Sequence, residues 1–108
     1  MSRGIAGLPP TGAVALDLEI LAEQAASLGR AGRRVEEALA ALAEARAAGA
    51  VDDGRLDDAA EAVQAYFVQR EFQGFRVHDD AIATYGIPRA VLARLGASRR
   101  RGGASETG

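Results

Sequence analysis

The 108-residue chain contains no cysteine, lysine, tryptophan or asparagine. Without cysteine it forms neither disulfides nor a thiolate metal site, and nothing argues for an oxidising compartment. Without lysine there is no phosphate loop. Gly29-Arg30-Ala31-Gly32-Arg33-Arg34 has glycines, but it lacks the Lys-Ser/Thr pair and the preceding strand that such a loop requires. The only histidine is His78, and Ser27, the one serine well inside a predicted element, has no histidine near it in sequence, so no nucleophile-base pair assembles. Adjacent residues in His78-Asp79-Asp80 point different ways, and no Glu-x-x-His pair exists. The expectation is a protein that is not an enzyme, with no catalytic residue, no cofactor and no metal, in which His78 caps a helix or is partly buried. No apolar run approaches the ~20 residues of a membrane-spanning helix.

All thirteen basic residues are arginine and about a quarter of the chain is alanine, a bias that a GC-rich coding sequence produces without any selection for phosphate binding. The formal net charge of −2 conceals an asymmetry. Residues 1–86 hold eight Arg against fourteen acids, net −6, and residues 87–108 hold five Arg against one acid, net +4. The body therefore repels nucleic acid, and only the C-terminal end attracts it. Residues 1–12 read as a disordered leader, since Gly7, Pro9, Pro10 and Gly12 break what would otherwise resemble the apolar stretch of a signal peptide. A cytoplasmic location and no membrane association are expected.

The strongest signal is a seam. Val14, Leu18, Leu21, Ala25, Leu28, Gly32, Val35, Leu39 and Leu42 recur at alternating spacings of four and three, which predicts one long helix ending at Gly49. Each glycine costs ~1 kcal/mol in a helix interior. The phase nevertheless persists across Gly29 and Gly32, as it would not across an inserted turn. The helix is expected to continue, with Ala25, Gly29 and Gly32 allowing a neighbouring backbone to approach closely. After a short connection capped by Asp52 or Asp53, Leu56, Ala60, Val63, Phe67 and Phe72 predict the buried face of a second helix ending near Gly74. The two make an antiparallel hairpin in which the first helix overhangs the second, baring Leu16 and Ile20.

Two short helices follow, at 79–85, stopped by Gly86, and at 88–95, begun by Pro88. Val77, Ile82, Tyr85, Ile87, Val91, Leu92 and Leu95 are expected to pack back over the overhang. The last residues, 97–108, read as a disordered basic and polar tail. Residues 81–96, a short helix, a glycine turn and a second short helix, also have the outline of a helix-turn-helix. In that frame Arg89 and Arg94 face the major groove while Arg99, Arg100 and Arg101 reach phosphates. Ile82 stands where that motif wants alanine, and the body behind it is acidic.

The string VQREFQGFRVHDDAIATYGIPRAVLARLG, with SLGRAGRRVEEALAAL before it, resembles a family of small uncharacterised bacterial proteins grouped as a domain of unknown function. The resemblance spans about residues 16–96 and implies one compact unit, with no activity, cofactor or site residue to carry over.

The reading that follows is an all-α protein with a single domain at 13–96. It is a long antiparallel helical hairpin with two short C-terminal helices packed over one end. It is expected to act without catalysis, through self-association as a homodimer or by binding another helical protein. The alternative is DNA binding through 81–96 and the arginine-rich tail.

Overall fold

In a computed structural model, residues 11–96 are described. All regular structure among them is helical: α1 at Thr11–Ala47, α2 at Asp53–Phe72, α3 at Asp79–Tyr85 and a last helix, α4, at 89–96. The predicted boundaries 1–10 and 97–108 lie outside the described residues. α1 runs unbroken through Gly29 and Gly32 for 37 residues. The constant phase of its seam thus prevails over the local cost of two glycines, because the packed residues on both sides share one helix face.

α1, α2 and α3 each end in the same way. The residue after the cap is a glycine with positive φ, at Gly49, Gly74 and Gly86 (72°, 98° and 61°). The next amide then bonds back to a carbonyl five residues earlier: Ala50 to Ala45 at 2.9 Å, Phe75 to Arg70 at 3.0 Å and Ile87 to Ile82 at 3.0 Å. This double closure satisfies the last carbonyls and turns the chain out of the helix axis. Asp52 occupies the position before α2 but makes no side-chain cap bond. Its carboxylate accepts from Arg46 Nε at 2.8 Å, across the turn. At the far end of the hairpin, Gln73 Nε2 donates to the Gln24 carbonyl at 2.9 Å, so α2 and α1 are antiparallel and α2 stops level with Gln24.

The core lies where three layers meet. Ala31, Val35 and Leu42 from α1, Leu56, Ala59, Ala60, Val63 and Tyr66 from α2, and Ala81, Ile87 and Val91 from the C-terminal segment form one buried cluster. Ala31, Ala59 and Ala60 are small, and Ile87 and Val91 fill the space they leave. Arg94 at the C-terminal end of this segment lies against Asp53 and Asp57 at the start of α2, at 3.8 and 3.5 Å. The segment therefore runs back along the hairpin toward the 48–52 turn.

That direction corrects one expectation. The two short helices pack over the paired end of the hairpin and not over the overhang, where Leu16 and Ile20 remain 55% and 47% exposed. The reason is the reversal at Gly74: a short link that turns the chain by about half a circle sends it back over α2, away from the part of α1 that α2 never reaches. Phe72 is the second correction, since it is 84% exposed. At 100° per residue it stands ~160° around α2 from Leu56. The buried stripe instead continues through Tyr66 and the guanidinium-bearing Arg70.

Gly32 and Gly29 differ in surroundings, and the difference is testable. Gly32 is buried, and a methyl group there would overlap the Tyr85 hydroxyl, whereas a methyl at Gly29 would meet only the Arg33 side chain at 3.8 Å. Gly29→Ala should stabilise the fold by about 0.5–1 kcal/mol through helix propensity. Gly32→Ala should destabilise it by about 1 kcal/mol, because overpacking of ~1–3 kcal/mol exceeds the propensity gain. In a Tyr85→Phe background, which lacks the overlapping hydroxyl, Gly32→Ala should turn stabilising. Urea denaturation of the four variants reads all three signs.

Candidate functional site

Three features stand apart from ordinary packing: a polar cluster at the α2–α3 junction, the placement of the C-terminal arginines, and the uncovered end of α1. The polar cluster centres on Arg70, whose side chain is only 7% exposed. Its Nε donates to His78 Nδ1 at 3.1 Å. One terminal nitrogen donates to the Val77 carbonyl at 3.1 Å and to Asp80 Oδ1 at 2.9 Å. The guanidinium also lies over the rings of Phe75 and Tyr66, with centroids at 4.6 and 5.8 Å. Since arginine only donates, His78 Nδ1 accepts, and the ring proton sits on Nε2, which donates to Glu71 Oε2 at 3.0 Å. The imidazole stacks on Phe67, with centroids 4.1 Å apart and planes 2° apart. Adjacent in sequence, His78, Asp79 and Asp80 looked unable to converge; the structure instead brings His78 to Glu71 and Asp80 to Arg70, using the helix reversal to do so.

This cluster is a clamp. It holds the 75–78 link, which has no regular hydrogen bonding of its own, and both ring nitrogens of His78 are used in holding it. Among the described residues no three His, Cys, Asp or Glu side chains come together as a metal-binding group. Next to the clamp, Tyr85 packs edge-on against Tyr66 at 5.3 Å between centroids. Burial, together with a hydrogen bond to Tyr66, raises the Tyr85 hydroxyl above its ordinary value of 10.0.

The arginines named for nucleic-acid contact are placed differently from one another. Arg89 is exposed. Arg94 is turned inward onto Asp53 and Asp57, with its side chain 26% exposed, so two carboxylates of the protein already occupy it. Arg99, Arg100 and Arg101 lie outside the described residues. Of the three small residues named for close packing, Gly32 lies beneath Tyr85, while Ala25 and Gly29 face solvent. A shallow groove of about 480 Å³ also runs between α1 and α2, floored by alanines such as Ala38 and Ala62 and rimmed by Arg34, Arg55, Glu37 and Asp58. It is lined by no nucleophile and no histidine.

The remaining feature is the end of α1. Every described residue from Gly12 to Ala26 is exposed, and burial begins only at Ser27 and Leu28. The exposed stretch includes Val14, Leu16, Leu18, Ile20 and Leu21, at 40%, 55%, 61%, 47% and 60%. Val14, Leu18 and Leu21 belong to the same seam that Val35 and Leu42 bury completely or nearly so further along. Single exposed leucines are ordinary; a run of five on one helix, continuous with a core stripe, is not. Covering such side chains contributes roughly 1 kcal/mol each.

A model for a family of unknown function, DUF6665, matches residues 5–103. The chain belongs to that family. No curated protein and no solved structure matches it. Family membership is consistent with one unit spanning the hairpin and the C-terminal helices, and it assigns no activity to the clamp or to the bare seam. Among the described residues no helix is long and apolar enough to cross a membrane.

Two outcomes test the junction. Arg70→Leu should cost about 2–4 kcal/mol, since it leaves the Val77 carbonyl and His78 Nδ1 without their donor. Arg70→Lys should recover only part of that, because a single ammonium cannot serve Nδ1, carbonyl and carboxylate together. For Tyr85, the folded state holds its proton more tightly than the unfolded state. The associated stability is therefore present in full below about pH 10 and is lost as pH rises through the higher folded value. Chemical denaturation between pH 8 and 11.5 should show that decline, and Tyr85→Phe should remove this component of it.

Proposed function

We propose that this member of DUF6665 is a non-catalytic helical docking protein, acting through the uncovered N-terminal part of α1. The observation that carries the reading is the continuity of one seam between two environments. From Leu28 onward it is covered by the protein's own helices, and from Val14 to Ala25 it is bare with its leucines exposed. Most helical stability in proteins comes from packing an amphipathic face, and an isolated helix of this length is marginal in water. A partner helix on that face gives both ends of α1 the same kind of support. The occupant is a second copy of the chain or another helical protein. A cytoplasmic setting suits a chain without cysteine.

The non-enzymatic part of the proposal is supported by the His78 geometry, since both ring nitrogens are committed to Arg70 and Glu71. Arg94, held by Asp53 and Asp57, supports a protein partner over duplex DNA.

The reading is tested by mass. The wild-type protein should sediment above its 11.2 kDa monomer mass, either when pure at micromolar concentration or when added to cell lysate, and Leu18→Glu should abolish the shift in both. A strict monomer in both settings overturns it.

A further inference from the structure

We infer that the occupant of the bare seam is a second copy of this chain, paired antiparallel to the first along residues 11–28 of α1. The inference rests on the docking reading above and adds to it the partner's identity, direction and register.

Direction follows from where the seam is already taken. From Leu28 toward Leu42 the face of α1 is covered by α2 and by Tyr85 lying over Gly32. A parallel partner would bring its own hairpin and C-terminal helices alongside the first copy's, in the space those elements fill. An antiparallel partner places the two bodies at opposite ends of the paired overhangs. It also runs in the direction of α2, which is itself antiparallel to α1 and stops level with Gln24. The partner helix thus continues the packing that α2 begins.

Register follows from the seam's spacing. In heptad terms Val14, Leu21 and Leu28 are d positions, and Leu18 and Ala25 are a positions. Antiparallel helices pair a with d, which sets Val14 against Ala25 of the partner subunit and Leu18 against Leu21 of the partner subunit, with the two-fold axis between residues 19 and 20. In that register Thr11, the first residue of α1, stands level with Leu28 of the partner subunit, the residue at which the seam goes under cover. The overhang is therefore as long as the pairing needs.

The flanking residues suit the same arrangement. Ala15 and Ala22 occupy the e positions and allow close approach along one edge. Asp17 and Gln24 occupy the g positions along the other, so each carboxylate meets the partner's carboxamide and no like charges are opposed. Glu19 and Glu23 point away from the seam, and Glu23 is engaged by Arg30 at 3.1 Å. Sixteen paired residues span ~24 Å. They bury on the order of 400–500 Å² per copy, against ~800 Å² for a standard interface, which places the dimer in the micromolar range.

Sedimentation velocity of the pure protein from 5 to 500 µM should show a reversible monomer–dimer equilibrium. Leu18→Glu should shift it to monomer at least tenfold, with the far-UV circular dichroism of the body retained. Leu16→Glu, equally exposed but at the outer f position, should leave it within about twofold. Because the chain has no cysteine, single-cysteine variants report direction. Oxidising a mixture of Val14→Cys and Ala25→Cys should give the mixed disulfide, and Ala25→Cys alone should not couple to itself. Position 25 coupling to itself would mean a parallel pair and overturn the inference, as would equal loss of dimer in Leu16→Glu and Leu18→Glu. A pure protein that stays monomeric to 500 µM also overturns it. If that monomer still forms a Leu18-dependent complex in lysate, the docking reading survives with a different occupant.

Discussion

A helix of 37 residues is paired with one of 20, and most of this molecule's character follows from that mismatch. The two begin together at the 48–52 turn, held there by Arg46 on Asp52, and part company at Gln24. Everything the chain has left after α2 is two short helices, and these are directed back toward the turn. The paired half of α1 is consequently packed on more than one side, and the remaining half on none. Hydrophobic burial is proportional to area removed from water. One continuous seam therefore carries a strong packing term at one end and an unused one at the other.

The reversal that sends α3 and α4 back depends on a polar device. Gly74 supplies the backbone conformation, but the direction of the following link is held by the Arg70 guanidinium, which donates to Val77, His78 and Asp80 and rests on two aromatic rings. A buried guanidinium is tolerable only when its donors are used and its faces covered. The donors are supplied with acceptors by a segment eight to ten residues further on. Link and arginine therefore depend on each other. Arg94 plays a lesser version of the same part at the opposite end, where it ties α4 to the acidic start of α2 and leaves less positive charge free than the sequence suggests.

Much of the architecture was legible without coordinates, and the reasons are local. The unbroken helix across Gly29 and Gly32 was readable from the phase of the seam, which only a continuous helix preserves. The stops at Gly49, Gly74 and Gly86 were readable because a positive φ strongly favours glycine. Phe72 was misread because hydrophobicity was allowed to outweigh position: it lies on the far side of α2, while Arg70, polar and hence passed over, lies on the buried side. The clamp had one faint signal in the sequence, the placing of Arg70 in line with Leu56, Val63 and Tyr66. Its partners could not be read, since they depend on how far the chain turns after Gly74.

The sequence by itself determined the helices, their lengths and their ends, because periodicity, capping and glycine conformation act over a few residues. It determined the overhang too, since that is a difference of two lengths. Only the tertiary structure decided what the overhang would lack. Whether the C-terminal helices cover the bare seam or the paired end depends on the direction of one reversal, and that direction is set by contacts between Arg70 and residues up to ten positions away.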